Sequence, residues 1–167
     1  GDWSSDVCSS DLICTHNSAR SIIGEAVAST HLSGNFVGYS AGLHPQDSVS
    51  PFALEIADEL QYSRDNLRSK SWEEFNAPDA PTMNFIISLY DPSNGEAIPH
   101  LPGNPASAYW IFPDPSNLTG NDDVKRRAMR AVMVGLKKRV EILASLPIEQ
   151  LDAIAIQKKL AEINQTA

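Results

Sequence analysis

A cysteine and an arginine near the start of the chain have the spacing of a nucleophile and an oxyanion clamp. Cys14 lies six residues before Arg20 in the stretch ICTHNSARS, residues 13–21. A planar guanidinium can hold two oxygens of a tetrahedral oxyanion, and a thiolate can attack the central atom. The alternative interpretation is a buried thiol that happens to precede a helix. The elements around the pair decide between the two interpretations.

The position of Cys14 between a strand and a helix favours the oxyanion interpretation. Cys14 follows the last apolar residues of an expected strand, and a helix is predicted to begin at about Ser18 or Ala19. A loop in this position turns several backbone N–H groups toward one point, at the positive end of the helix dipole. Such a nest of amides suits a tetrahedral oxyanion.

Polar side chains in and after this loop can support the thiolate. Ser21 and the loop amides can donate hydrogen bonds to the sulfur and favour its nucleophilic form. Asn17 tolerates left-handed backbone angles and can pin the loop. His16 can bias the thiolate electrostatically or face solvent, and the sequence does not choose.

Strand patterns alternate with helix patterns along the rest of the chain. A short strand is predicted at Phe36–Tyr39, followed by a Ser-Ala-Gly turn. The apolar runs NFIISLYD (84–91) and AYWIF (108–112) predict buried strands, with a loop between them. The alternation predicts an α/β sandwich with a mostly parallel sheet.

The predicted helices are marked by their first residues and their apolar spacing. Ser50 and Pro51 are an N-cap and a first helical residue, and RSKSWEEF (68–75) is predicted as a short amphipathic helix. A long helix is predicted over 121–146, with acids at its start, and a terminal helix over 147–163. The terminal helix is expected either to cover the sheet or to form a dimer contact. The basic runs KRRAMR and KKR are expected on a solvated face.

Composition excludes several classes of function. The net charge of -8 argues against a nucleic-acid partner and against an anionic membrane surface. No apolar run is long enough to span a bilayer, and the first residues lack the regions of a signal peptide, so a cytoplasmic location is expected. No His/Cys cluster has metal spacing, so no metal is expected. Trp72 and Trp110 are expected in the core, and His44 and His100 in surface loops.

The stretch CTHNSARS resembles the phosphate loop of the low-molecular-weight protein tyrosine phosphatase and arsenate reductase family. The resemblance continues through YSAG (39–42), LRSKSWEEF (67–75) and FPDPS (112–116), and it reaches the tail. LRSKSWEEF and LPGNPASAYWIFPDP are most similar to the bacterial arsenate reductase branch. The resemblance implies a flavodoxin-like three-layer sandwich, with a four-stranded parallel sheet and helices on both faces.

The same resemblance implies roles for individual residues. Cys14 would be the nucleophile, Arg20 the oxyanion clamp and Asp114 the general acid that protonates the leaving group. The residues of the oxyanion-binding loop would be Thr15, His16, Asn17, Ser18, Ala19 and Arg20. Support for the thiolate and the loop would come from Ser21, Asn17 and Ser40.

For an arsenate reductase, the departure from the family is the absence of internal resolving thiols. Thioredoxin-coupled members carry two further cysteines where this chain has Tyr90 and Ile98. Cys8 cannot easily replace them, because six residues of extended chain span roughly 20 Å. An external thiol of the glutathione or mycothiol type, with a glutaredoxin-like partner, is therefore expected, and no bound cofactor.

Two alternatives to the reductase remain open at this stage. A phosphatase would hydrolyse phosphate monoesters through a phosphocysteine, with the same cysteine, arginine and aspartate. Tyrosine phosphatases of the family have tyrosines after the Asp-Pro pair, whereas this chain has Ser116, Asn117 and Leu118, so an aryl ring would find little to stack on. A non-enzymatic oxyanion-binding module is the third class, which would not need a nucleophile or an acid.

The first twelve residues differ in composition from the rest of the chain. GDWSSDVCSSDL is polar, acidic and rich in serine, which predicts a poor buried strand where the family has an apolar one. It is similar to a translated sequencing-library adapter. Residues 1–12 are therefore expected to be a non-native segment, joined to a single domain over 13–167 with a C-terminal helical extension.

Overall fold

The computed structural model describes most of the chain outside the loops. It covers residues 8–14, 19–30, 36–43, 48–80, 83–89, 105–113, 115, 119–146 and 150–166, and only the backbone of 8–14, 36–37 and 165–166. The predicted loop residues Thr15, His16, Asn17 and Ser18 lie outside the described residues. So do Asp114, the two histidines 44 and 100, and positions 90 and 98.

One parallel sheet forms the centre of the structure. Its strands are β1 (Cys8–Cys14), β2 (Phe36–Gly42), β3 (Phe85–Ser88) and β4 (Ala106–Tyr109), in the order β2-β1-β3-β4. Every neighbouring pair is parallel, so the carboxyl ends of all these strands lie at one edge. The predicted α/β fold with a parallel sheet is confirmed.

The polar N-terminal segment supplies the backbone of a central strand. In β1, Ser10 pairs with Gly38 of β2 on one side and with Phe85 of β3 on the other. Backbone N–H and C=O groups form this double ladder irrespective of side-chain type, so tertiary pairing overrides the low strand propensity of serine and aspartate.

Four α-helices accompany the sheet. They are α1 (Arg20–Thr30), α2 (Pro51–Glu59), α3 (Asp122–Ser145) and α4 (Ala153–Thr166). α2 begins with Pro51 in its first turn, as predicted. α3 begins after Asn121, whose side chain accepts a hydrogen bond from the backbone N–H of Val124 at 3.1 Å. The helix predictions for these two regions are confirmed to within one or two residues.

Four local predictions are wrong in detail. The terminal helix begins at Ala153 rather than at 147, because Asp152 caps it and accepts from the N–H of Ala155 at 2.8 Å. Ser40 to Gly42 are the end of β2 rather than a turn, because β1 continues beside them until Cys14 pairs with Gly42. The stretch 68–75 forms a short 3₁₀ helix at Trp72–Asn76 rather than an amphipathic α-helix. β4 is Ala106–Tyr109 rather than 108–112, since pairing with β3 begins where Phe85 meets Ala106.

Apolar residues on the two faces of the sheet belong to two separate clusters. In β3, Phe85 and Ile87 join the larger cluster, to which all four α-helices contribute. Ile86, which alternates with them, joins a smaller cluster with Phe75 of the 3₁₀ helix and Met83. In the described part of the chain, the second face is therefore covered by the 3₁₀ segment, and the four α-helices pack in the larger cluster.

The terminal helix α4 covers the edge strand of the sheet. The side-chain amide of Gln157 both accepts from the backbone N–H of Ser107, at 2.9 Å, and donates to its carbonyl. Asn164 accepts from the N–H of Ile111 at 2.9 Å. The indole N–H of Trp110 donates to the carbonyl of Leu160 at 3.0 Å. These bonds occupy backbone groups of an edge that would otherwise be open for pairing.

The core and surface predictions hold for most residues but fail for one arginine. Trp110 is fully buried, as predicted, whereas Trp72 is only partly buried. Arg127 and Arg130 of α3 are exposed, as predicted. Arg139, however, is only 7% exposed, because it lies on the same stripe of the helix as Leu136 and Leu143. None of the described helices is both long enough and apolar enough to cross a membrane.

Candidate active site

The candidate site lies at the carboxyl edge of the sheet. Cys14 is the last residue of β1 and is paired with Gly42, the last residue of β2. Arg20 is the first residue of α1, and Ala19 before it is buried. The structure therefore places the backbone of the predicted nucleophile and the predicted clamp on either side of one strand-to-helix connection, whose residues 15–18 are outside the described part.

Arg20 is anchored at this edge by two backbone carbonyls. Its side chain is buried, and Nη1 donates to the carbonyl of Leu89 at 3.1 Å and to that of Phe112 at 2.9 Å. Leu89 follows the last residue of β3, and Phe112 lies three residues after the end of β4. The backbone N–H of Phe112 also donates to the Leu89 carbonyl, at 3.3 Å. These contacts hold the guanidinium in one orientation, as an oxyanion clamp requires.

The two predicted supporting serines are both fully buried. Ser21 follows Arg20 in the first turn of α1, and Ser40 lies in β2 beside Leu12 of β1. The hydroxyl of Ser40 donates to Oε1 of Glu25 at 2.7 Å and accepts from Nζ of Lys70 at 3.3 Å. Ser40 therefore connects β2 to a buried pair of opposite charges.

The pair of Glu25 and Lys70 forms the centre of a buried polar cluster. Lys70 Nζ lies 3.6 Å from Glu25 Oε1, and the two side chains are 7% and 6% exposed. The Tyr62 hydroxyl donates to the other carboxylate oxygen at 2.7 Å. Burial and the adjacent carboxylate raise the pKa of Tyr62, because both disfavour the phenolate. We call Glu25, Ser40, Tyr62 and Lys70 the Glu25 cluster.

The Glu25 cluster also joins α1 and β2 to the segment before the 3₁₀ helix. Lys70 Nζ donates to the carbonyl of Arg68 at 3.1 Å, and the Lys70 carbonyl accepts from the N–H of Gly42 at 2.9 Å. A cleft of about 660 Å³ adjoins the cluster, with Tyr39 and Phe75 among its lining residues. Glu25, Tyr62 and Lys70 therefore line this cleft, and Ser40 connects them to β2, the strand whose last residue pairs with Cys14.

Sequence reasoning missed Glu25, Lys70 and Arg139. Glu25 is the single charged residue between Arg20 and the end of α1, and a lone carboxylate within an apolar helix indicates a paired, buried charge. Arg139 follows the apolar spacing of α3, so its position could also have been noticed. Lys70 carries no such signal, because it lies in an irregular segment whose partners are distant in sequence.

No group of three possible metal ligands is found among the residues that the structure describes.

Comparisons with known proteins agree with this geometry. A family model for low molecular weight phosphotyrosine protein phosphatases matches residues 11–108. An arsenate reductase of Halalkalibacterium halodurans is 26% identical over 132 residues, which are 79% of this chain and 91% of the relative.

Two solved structures share the fold. The arsenate reductase of Archaeoglobus fulgidus has a TM-score of 0.60 at 20% identity, over 79% of this chain and 98% of that one. A low molecular weight phosphotyrosine phosphatase of Vibrio cholerae O395 has a TM-score of 0.62 at 16% identity, over 86% and 99% of the two chains. At these identities, the similarity shows a common fold and nothing further.

Proposed function

Because the chain belongs to the low molecular weight phosphotyrosine protein phosphatase family, we propose that it is an arsenate reductase built on the phosphatase site. Cys14 is the nucleophile, Arg20 binds the oxyanion and Asp114 is the general acid. The observation that carries this proposal is the anchored guanidinium of Arg20, held by two carbonyls at the edge where β1 ends in Cys14. The similarity to an arsenate reductase over most of its length supports arsenate as the substrate.

The proposed reaction has two chemical steps. The Cys14 thiolate attacks arsenic, and an arsenate oxygen leaves as water after it receives a proton from Asp114. A second thiolate then attacks the Cys14 sulfur, the sulfur–arsenic bond breaks, and its electron pair stays on arsenic. Arsenic(V) is thereby reduced to arsenite, and Cys14 is left in a disulfide with the attacking thiol.

The attacking thiol is proposed to come from another molecule. Cys8 and Cys14, the only cysteines in the sequence, are the first and last residues of β1, so about 20 Å of strand separates them. We assign the role to a small thiol of the glutathione or mycothiol type, and regeneration of Cys14 to a glutaredoxin-like protein. A cytoplasmic location fits this need for reduced thiols.

The remaining loop residues are assigned as supports. Thr15, His16, Asn17, Ser18 and Ala19 contribute backbone amides to the oxyanion site, at the start of α1. Ser21 and Asn17 support the thiolate and the loop. Ser40 supports the loop through β2, since its hydroxyl is fixed by Glu25 and Lys70. The strand order β2-β1-β3-β4 supports the finer assignment of a flavodoxin-like three-layer sandwich, in which the 3₁₀ helix Trp72–Asn76, rather than an α-helix, covers the second face.

Phosphate-ester hydrolysis is the second candidate. The family model supports it, and the same three residues would suffice: water attacks phosphorus in the second step, the sulfur–phosphorus bond breaks, and Cys14 leaves as the thiolate. The sequence after Asp114 is Pro-Ser-Asn-Leu, without an aromatic residue to pack against an aryl ring. We therefore rank the phosphatase below the reductase.

The deciding experiment measures arsenite formed from arsenate. The protein is assayed with glutathione and a glutaredoxin, with thioredoxin and its reductase, and without a thiol. Cys14→Ser is expected to abolish arsenite formation, whereas the matched Cys8→Ser variant is expected to keep the wild-type rate. Hydrolysis of p-nitrophenyl phosphate is measured on the same samples.

The outcomes separate the three functional classes. Thiol-dependent arsenite that requires Cys14 but not Cys8 supports the reductase. Cys14-dependent phosphate release without arsenite overturns it in favour of the phosphatase. Phosphate binding without either reaction identifies an oxyanion-binding module.

Residues 1–12 are proposed to be a non-native segment. Their composition supports this, and the family model begins to match only at residue 11. Replacing Ser9, Ser10 and Asp11 with valine or isoleucine is expected to raise Tm. Ser10 lies between the buried residues Gly38 and Phe85, and Asp11 lies beside the buried Ile86. An intact genomic sequence through these codons would refute the proposal.

A further inference from the structure

Phe112 makes contacts with two buried arginines. Its carbonyl accepts from Nη1 of Arg20 at 2.9 Å, and its ring lies under the guanidinium of Arg139, with Cζ 4.4 Å from the ring centroid. Phe112 as a whole is 8% exposed. One residue therefore connects the arginine of the candidate oxyanion site to a cation in the middle of α3.

The guanidinium of Arg139 has few polar partners besides the ring of Phe112. Its side chain donates from Nη1 to the carbonyl of Gly135 at 3.0 Å, and its buried Nε makes no hydrogen bond. Burial lowers the pKa of the guanidinium, because desolvation disfavours the charged form. No carboxylate pairs with Arg139 among the described residues, so the face of Phe112 is the group that stabilises the buried cation.

Gly135 provides the space in which the ring lies. A Cβ atom at this position would be 2.7 Å from Cε1 of Phe112 and 3.1 Å from Nη1 of Arg139. Glycine is a poor residue for the interior of a long helix, so the absence of a side chain here has a packing reason. We call the surface formed by Gly135 and Arg139 the Phe112 pocket.

We propose that Arg139 is a positioning residue for Arg20, because the Phe112 pocket holds the Phe112 carbonyl in the place where Arg20 donates to it. β4 ends at Tyr109, so Phe112 lies beyond the ladder, where its N–H donates to Leu89 at 3.3 Å and its carbonyl accepts from Arg20. The ring is what fixes the rest of this residue. The inference rests on the proposed oxyanion-binding role of Arg20. It concerns how the Arg20 guanidinium is oriented before the oxyanion binds.

The test is the affinity for inorganic phosphate, measured by titration calorimetry on the full chain. Arg139→Met removes the stacked cation, and Gly135→Ala displaces the ring while every charge remains. Both are expected to raise Kd about tenfold, a change typical of one mispositioned hydrogen bond to a charged group. Arg139→Lys, which keeps the charge but loses the planar stack, is expected to weaken binding as well.

Two controls separate positioning from charge and from stability. Arg127→Met is the same substitution at an exposed site of α3, and its Kd is expected to equal that of wild type. Val132→Ala removes buried apolar volume from the same helix and is expected to lower Tm but leave Kd unchanged. Phe112→Leu keeps the carbonyl, loses the ring and is expected to follow Arg139→Met.

Each outcome has a definite meaning. Unchanged affinity in both Arg139→Met and Gly135→Ala overturns the inference and leaves the proposed function standing. A loss of affinity in Val132→Ala as large as in Arg139→Met also overturns it, because the effect would then be general destabilisation. If the wild-type chain binds neither phosphate nor arsenate, the proposed function fails first and the inference fails with it.

Discussion

Lys70 and Arg139 are both buried cations near the candidate site, yet the fold compensates their charges differently. Lys70 lies 3.6 Å from the carboxylate of Glu25, within a cluster that also includes the hydroxyls of Ser40 and Tyr62. Arg139 lies over the face of Phe112 and donates to a carbonyl of its own helix. The first cation has a formal counterion, and the second has a ring.

Removing each cation would leave a different group behind. Loss of Lys70 would strand the Glu25 carboxylate in a buried position, and an uncompensated buried charge is costly. Loss of Arg139 would leave only a neutral ring and a cavity. The two regions are therefore expected to separate effects on stability from effects on the site.

The largest expected effect is that of Lys70→Met. Removing one partner of a buried ion pair costs about 3–5 kcal/mol of unfolding free energy. Urea unfolding measures this value, and the double variant Glu25→Gln/Lys70→Met should recover part of it, because no charge is then stranded. A loss below about 1 kcal/mol in the single variant would show that the pair is not the stabilising unit assumed in the comparison.

Arg139→Met is expected to cost less, about 2 kcal/mol, since a desolvated cation–π contact has that magnitude and no opposite charge is left unpaired. The same urea experiment gives the value, with Arg127→Met as the matched control. A cost as large as that of Lys70→Met would remove the distinction between the two regions.

Tyr62→Phe tests the Glu25 cluster through the pH dependence of stability. Loss of the hydrogen bond to Glu25 is expected to cost about 1 kcal/mol at neutral pH. The folded-state pKa of Tyr62 is raised above its ordinary value of 10.0, so the unfolded chain loses this proton first. The stability that the protonated hydroxyl contributes is therefore complete below pH 10 and is lost as the pH rises above it.

Thermal unfolding between pH 8 and 11 measures this dependence. Wild type should lose stability above pH 10 more steeply than Tyr62→Phe. Tyr109→Phe is the matched control, because Tyr109 ends β4, the strand at the opposite edge of the sheet from β2. If Tm falls equally with pH in wild type and Tyr62→Phe, then Tyr62 does not cause the loss of stability above pH 10.

The smallest effect is expected at a cation that is not buried. Arg126 pairs with Glu55 at 2.9 Å and lies over Phe52, but about half of each charged side chain is exposed. Solvent and salt screen such a pair, so Arg126→Met should leave Tm unchanged within error at 0.15 M salt. A large shift in Tm would mean that solvent exposure does not make the Arg126–Glu55 pair weaker than the buried Glu25 cluster.

Local signals predicted much of this fold. Ser50 with Pro51, and Asn121 before two acids, mark helix starts whose chemistry is contained within a few neighbouring residues. The apolar run around β3 marks a strand buried on both faces in the same way. The spacing of Cys14 and Arg20 could also be recognised in the sequence, because oxyanion binding beside a cysteine nucleophile requires that spacing. The loop between them carries the family resemblance.

Pairings between distant segments were decided by the tertiary structure. Side-chain type alone argues against a central strand at residues 8–12, but ladders with two neighbours place the backbone there. Lys70 became the counterion of Glu25 only because the chain returns past the end of β2. Arg139 belongs to a basic run that is typical of a solvated surface, and only the packing of α3 against Phe112 puts it beneath the site. Near neighbours along the chain were enough to predict most of the elements and to single out Cys14 and Arg20 by their spacing. The compensation of buried charge depends on which distant groups meet, and that was settled by the fold.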